Sequence, residues 1–215
     1  MLVDSRRGLR VSGALLAGGV LVGVLVALPA TRPAVDAVDR AAWEAAAASE
    51  NAPGSAAAIA LSWLGSGLVN WPLRAAAVLL LAWQRHWVRL TAFVLAVLSS
   101  EALIGPVKAA YDRPRPPGSL IETSAAAFPS GHAIATAVTA VGLVLVLAEA
   151  GSTRWRWEVR AVAFASVMAL SRVYLRAHWL SDTVAGALLG AGLALGWPAL
   201  LSMLRRRARP DAPGP

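Results

Sequence analysis

The stretch Pro129–Ala150, PSGHAIATAVTAVGLVLVLAEA, decides the fold of this chain. Its apolar run, about His132–Ala150, has no charged residue from Ala133 to Ala148 and approaches the ~20 residues a helix needs to cross the hydrocarbon core of a bilayer. It opens on Pro-Ser-Gly-His. Serine there is a natural N-cap, and glycine lets backbone come close to a ligand. The free amides of a helix N-terminus favour an anion. One segment therefore carries both an apolar span and a polar mouth. On its own, such a triplet marks a helix cap more readily than a catalyst.

Five further runs resemble it: about Val11–Leu28, Gly67–Trp83, Trp87–Val107, Val159–Tyr174 and Thr183–Leu204. The chain is 57% hydrophobic and only 15% charged, well below the roughly 25% charge of soluble domains. Glycine and alanine are abundant in the runs, as suits helices packed closely in lipid. The sequence thus predicts an all-α polytopic membrane protein with six transmembrane helices. The absence of cysteine excludes disulfides and thiolate metal sites. A net charge of +8 would ordinarily raise nucleic acid as a partner. Here the basic residues sit in short clusters between apolar runs, so the bilayer is the expected partner.

If the N-terminus is cytoplasmic and the spans alternate, the inner side collects Arg6, Arg7, Arg10, Arg85, Arg89, Arg154, Arg156, Arg160, Arg205, Arg206, Arg207 and Arg209. The outer side collects Asp36, Asp39, Glu44, Glu50, Asp112, Glu122 and Asp182. This is the positive-inside pattern, with both termini cytoplasmic. The first run has the basic start of a signal peptide, but it is long for a signal core and Leu28-Pro29-Ala30 is a poor cleavage site. A retained helix is expected.

Thr31–Ser66 is too polar to cross. Its alanine-rich middle, with Val35, Val38 and Ala42 at helical spacing, predicts a surface helix between spans one and two. Asn51-Ala-Pro-Gly-Ser is expected to break it, before a short apolar piece at Ile59–Leu64. The whole chain, 1–215, is expected to be a single membrane-embedded domain with its core at about 62–204. The tail from Arg205 to Pro215 is expected to be disordered.

Alternation places three polar clusters on one membrane face. Lys108, Arg115 and Pro116 follow span three. Ser130, Gly131 and His132 open span four. Ser171, Arg172, His178 and Asp182 join span five to span six. The only lysine and two of the three histidines fall inside these clusters. They offer cations for an anion, helix-start amides, and an imidazole with a carboxylate four residues on, on the same helical face. That carboxylate can hold one ring nitrogen protonated and leave the other free to attack. Each part has a plainer reading: an interfacial His–Asp pair, a serine cap, snorkelling cations. A metal site is a further alternative, with only His132 and a few acids to complete it. Arg113 and Arg176 lie close by, and spacing does not exclude them.

Together the motifs K-x6-RP, PSGH and SR-x5-H-x3-D resemble the signature of the type 2 phosphatidic acid phosphatase superfamily. That group includes membrane lipid phosphate phosphatases and is related to vanadium-dependent haloperoxidases. The resemblance covers roughly Ser62 to Leu204, with all three motifs complete and in order. It implies that His178 is a nucleophile forming a phosphohistidine, oriented by Asp182, and that His132 is the general acid. It implies that Lys108, Arg115, Ser130, Gly131 and Arg172 hold the phosphate oxygens, with no metal and no cofactor. The residues alone leave open which histidine attacks, although the carboxylate partner favours His178.

The expected function is hydrolysis of a lipid phosphate or diphosphate at the outer face of a cytoplasmic membrane. Polyprenyl diphosphate, phosphatidic acid and phosphatidylglycerol phosphate are all compatible, with a slight preference for the first because the site faces outward. The alternatives are a non-catalytic lipid-phosphate binding or transport protein, which would not need both histidines, and a haloperoxidase-like enzyme, against which six spans argue. Two charges lie outside the signature. Arg74 and Glu101 each sit about 10 Å below the outer surface, at ~1.5 Å per residue, on successive antiparallel spans. An unpaired charge at that depth is unfavourable, so an ion pair between them is predicted.

Overall fold

The computed structural model describes residues 3–123 and 126–207. Among these residues all regular structure is helical, in eight helices: α1 Ser5–Ala27, α2 Arg32–Ala48, α3 Ala52–Leu64, α4 Gly67–Trp83, α5 Trp87–Tyr111, α6 Gly131–Leu147, α7 Ser152–Tyr174 and α8 Leu180–Arg207. All six apolar runs are helical. By length and apolarity α1, α5 and α8 can each cross a membrane; α3 and α4, meeting at a 42° bend, can together make a fourth span. The short α6 is apolar throughout. In α7 the first turns carry Arg154, Arg156, Glu158 and Arg160, which dilutes its apolar character. Leu68, Leu79, Trp83 and Trp155 point outward, so the outside of the bundle is apolar, as a lipid-facing surface must be.

The helix ends follow local chemistry. The Asp4 carboxylate accepts the Arg7 amide at 2.8 Å and starts α1. The α7 helix begins at Ser152, seven residues before the expected Val159, where Arg154 and Glu158 form an i,i+4 pair at 2.7 Å. Asn51 ends the polar helix as expected, but the Pro-Gly that follows does not prolong the break. Asn51 Oδ1 accepts the Gly54 amide at 2.8 Å, and Pro53 occupies the first turn of α3, where its missing N–H is harmless. The α2 helix turns Asp39 and Ala46 inward, with Val35 and Ala42 half-buried. Val38, expected on that face, is exposed. Of the expected tail, Arg205–Arg207 form the last turn of α8; residues 208–215 lie outside the described residues.

The α8 helix is the hub and packs against α1, α5, α6 and α7. Lipid tails are as apolar as leucine, so close backbone approach must hold such helices together. Gly186 and Gly190 provide it. A Cβ at Gly186 would stand 2.7 Å from the Ser130 carbonyl oxygen, and one at Gly190 would stand 2.6 Å from that of Ile134. The glycines thus draw the start of α6 onto the start of α8. A core of Leu81, Phe93, Val97, Ile134 and Val138 ties α4, α5 and α6 together. The pair expected from depth alone is present: Arg74 Nη1 donates to Glu101 Oε1 at 2.7 Å, joining α4 to α5. Arg74 also donates to Thr139 Oγ1 at 2.8 Å and to the Ala135 carbonyl at 3.3 Å, both on α6.

Candidate active site

The close contact of α6 with α8 brings two of the clusters together. The Ser130 amide donates to the Asp182 carbonyl at 3.0 Å. The Ser130 hydroxyl accepts the Ala133 amide at 3.4 Å and caps α6. Gly131 and His132 form the first turn. Lys108, in the last turn of α5, donates through Nζ to the Ala126 carbonyl. Lys108, Arg115, Arg172 and His178 all stand near enough to the His132 ring to act on it electrostatically. All eight residues expected at the site therefore gather at one end of the bundle.

The geometry around His178 defines its tautomer. Arg115 Nη1 lies 3.2 Å from His178 Nε2. A guanidinium has donors only, so Nε2 must be the acceptor and the ring proton belongs on Nδ1. Nδ1 faces Asp182 Oδ2 at 3.6 Å, ion-pair range but long for a hydrogen bond. The second Arg115 contact, Nη1 to the Ala177 carbonyl at 2.6 Å, fixes the guanidinium against the same loop. Burial in this loop lowers the His178 pKa to about 4, against the raising effect of Asp182. The imidazole is therefore neutral at physiological pH. Burial also lowers that of Arg115.

Arg172, in the last turn of α7, is buried and donates from Nη1 to Ser62 Oγ of α3, while its Nε has no partner among the described residues. Lys108, Arg115 and Arg172 thus surround two imidazoles and a single carboxylate, Asp182, an arrangement that suits a group with several anionic oxygens. The described residues bring no three His, Asp or Glu side chains together as metal ligands.

The PAP2 superfamily profile matches residues 89–206, more than half of the chain and all three motifs. The chain belongs to the PAP2 superfamily. Among solved structures it is similar to the PAP2-type phosphatidylglycerolphosphate phosphatase of Bacillus subtilis (TM-score 0.71, 22% identity, covering 94% of this chain and 98% of that one). It is also similar to Aquifex aeolicus LpxE (TM-score 0.59, 20% identity, covering 72% and 91%). At such identities these likenesses speak for the fold. A curated relative, an undecaprenyl-diphosphatase of Sulfolobus acidocaldarius, is 37% identical over 76 residues, which are 35% of this chain and 32% of that protein. The chain thus spans about a third of the length of the curated relative it matches.

Around the PAP2 motifs stand residues that spacing did not identify. Arg113, left undecided by the sequence, is buried and pairs with Asp182 Oδ1 at 2.7 Å and Asp39 Oδ2 at 2.7 Å. Burial disfavours its charge, but Asp182 and Asp39 outweigh that and raise its pKa. Arg176 points away and pairs with Glu50 at 2.8 Å. Asp39, Ser62 and Ser181 carried no motif. One signal for Asp39 was legible: it is a carboxylate in the middle of the inward stripe Val35, Asp39, Ala42, Ala46.

Proposed function

We propose that this PAP2 protein is an integral membrane phosphatase that hydrolyses a lipid phosphate or diphosphate at the outer face of a cytoplasmic membrane, with His178 as nucleophile. The observation that carries this reading is the geometry at His178, with Nε2 3.2 Å from Arg115 Nη1 and Nδ1 facing Asp182 Oδ2 at 3.6 Å, which favours a lone pair on Nε2. Nε2 attacks phosphorus as the bond to the lipid oxygen breaks, and His132 gives that oxygen a proton. Water then attacks the phosphohistidine, losing its proton to His132, and phosphate leaves with His178 neutral again. Lys108, Arg115, Arg172 and the backbone at Ser130 and Gly131 hold the phosphoryl oxygens throughout. With those fixed cations, the step needs no metal.

In this reading the whole chain is one membrane domain of six spans, formed by α1, α4 with α3 leading into it, α5, α6, α7 and α8, while α2 lies along the outer surface. The arginine distribution supports both termini inside and the site outside. The names of the relatives, an undecaprenyl-diphosphatase and a phosphatidylglycerolphosphate phosphatase, support a lipid-linked phosphate or diphosphate, and an outward site favours a polyprenyl diphosphate. Purified protein with EDTA should release phosphate from a panel of polyprenyl diphosphate, phosphatidic acid and phosphatidylglycerol phosphate, most readily from the first. No release from any of them would overturn the reading.

A further inference from the structure

Asp182 is fully buried, and its two oxygens have different duties. Oδ2 accepts the Trp179 amide at 2.9 Å and faces His178. Oδ1 is held by Arg113 Nη1 at 2.7 Å. A lone Arg113 would cancel the Asp182 charge that His178 needs. It is not alone. Its Nη2 donates to Asp39 Oδ2 at 2.7 Å, and Nη1 also donates to Ser181 Oγ at 2.7 Å. The Ser181 hydroxyl donates in turn to Asp39 Oδ2 at 2.6 Å, and the Ser181 amide to Asp39 Oδ1 at 2.8 Å. Asp39, Arg113, Ser181 and Asp182 are all buried. Asp36 adds a longer contact to Arg113 Nη2 at 3.3 Å from the half-exposed edge.

Building on the phosphatase reading, we infer that Asp39 of α2, acting through Arg113 and Ser181, is a positioning residue that keeps Asp182 anionic in effect and aimed at His178. Two buried carboxylates share one guanidinium, so the set carries a net negative charge. Attack by Nε2 makes the imidazole cationic, and the negative set offsets that charge where Arg115 and Arg172 oppose it. Buried charges that are paired and hydrogen-bonded interact strongly at low dielectric, and one removed partner is felt along the whole chain of bonds. The α2 helix, which lies outside the matched family region, would thereby be part of the catalytic apparatus.

The test is Asp39→Asn, near-isosteric but uncharged, with Ser181→Ala as a milder second variant should the first fold poorly. Both are assayed as full-length protein on phosphatidic acid, per folded molecule measured by size exclusion. Asp39→Asn should lower kcat about tenfold or more with KM within about twofold, and Ser181→Ala should lower kcat several-fold. The charged or titratable groups facing His178 are Asp182 from α8, Arg115 from the loop, Arg172 from α7 and His132 from α6. Among these, losing the Asp39 charge leaves the cations less opposed, so the acid limb of kcat/KM should move to lower pH in Asp39→Asn. Arg113→Gln should be worse than Asp39→Asn, and the double variant better than Arg113→Gln alone. Variants that melt earlier but keep wild-type kcat per folded molecule and an unmoved acid limb would overturn the inference. Wild-type protein inactive on every lipid phosphate would instead overturn the phosphatase reading, and this inference with it.

Discussion

Glu101→Gln and Arg74→Gln should destabilise the bundle unequally, and less together than their sum. The Arg74 side chain is 4% exposed and that of Glu101 35%. Glu101→Gln leaves an acceptor for Nη1 but removes the charge that, among the described residues, pairs with this buried cation. Breaking a fully buried pair costs about 3–5 kcal/mol, and Glu101's partial exposure reduces this to roughly 1–3 kcal/mol. Arg74→Gln removes the pair and also the donors to Thr139 and to the Ala135 carbonyl. At about 1 kcal/mol for each bond, the loss is on the order of 3 kcal/mol. The double variant should recover about 1–2 kcal/mol relative to the sum, the coupling of a charge-assisted bond. Thermal unfolding in detergent, followed by the intrinsic fluorescence of the nine tryptophans, reads these differences. At roughly 2–4 °C per kcal/mol for a chain of this size, the single variants should melt about 2–12 °C early. Additivity within about 0.5 kcal/mol would show the two charges to be independent and refute the reasoning.

His132→Ala should block turnover of lipid phosphates far more than of an activated aryl phosphate, whose leaving group needs little protonation; equal losses on both would count against His132 as the acid. Because burial holds the folded His178 pKa near 4, below its ordinary 6.5, the imidazole stays neutral as pH falls. After correction for substrate ionisation, the acid limb of kcat/KM due to His178 should therefore lie well below 6.5, and a limb at 6.5 would contradict the buried setting. Stability has the matching sign: this histidine's contribution is present above pH 6.5 and is lost between 6.5 and about 4, where only the unfolded chain takes up the proton. A cysteine placed at Ser119 should react with an impermeant thiol reagent outside intact cells and one at Ser152 should not; the reverse pattern would invert the topology.

The apolar runs were legible because helix length and hydrophobicity are set by the bilayer, which leaves little freedom. Gly67–Trp83 begins and ends in the structure where the sequence places it. The Arg74–Glu101 pair was legible for the same reason, since depth alone forces a charge to find a partner. Helix starts driven by local hydrogen bonds were less so, as at Ser152, where an Arg154–Glu158 pair extends a helix into polar sequence. The eight expected site residues lie in motifs, and the structure gathers them at one end of the bundle, whereas Asp39 and Ser181 lie in none. Their place beside Asp182 arises from the tertiary approach of α2 to α8, across more than a hundred residues of chain. Arg113 was in view but indistinguishable from its neighbour Arg176 until the packing sent one to Asp182 and the other to Glu50.

The central claim is that His178 carries the phosphoryl group. Rapid-quench labelling with a lipid substrate bearing radioactive phosphorus tests it most directly. Wild-type protein should acquire label that survives alkali, is lost in acid and maps to His178, and His178→Ala should acquire none. Label on another residue, or undiminished turnover by His178→Ala, would contradict the account.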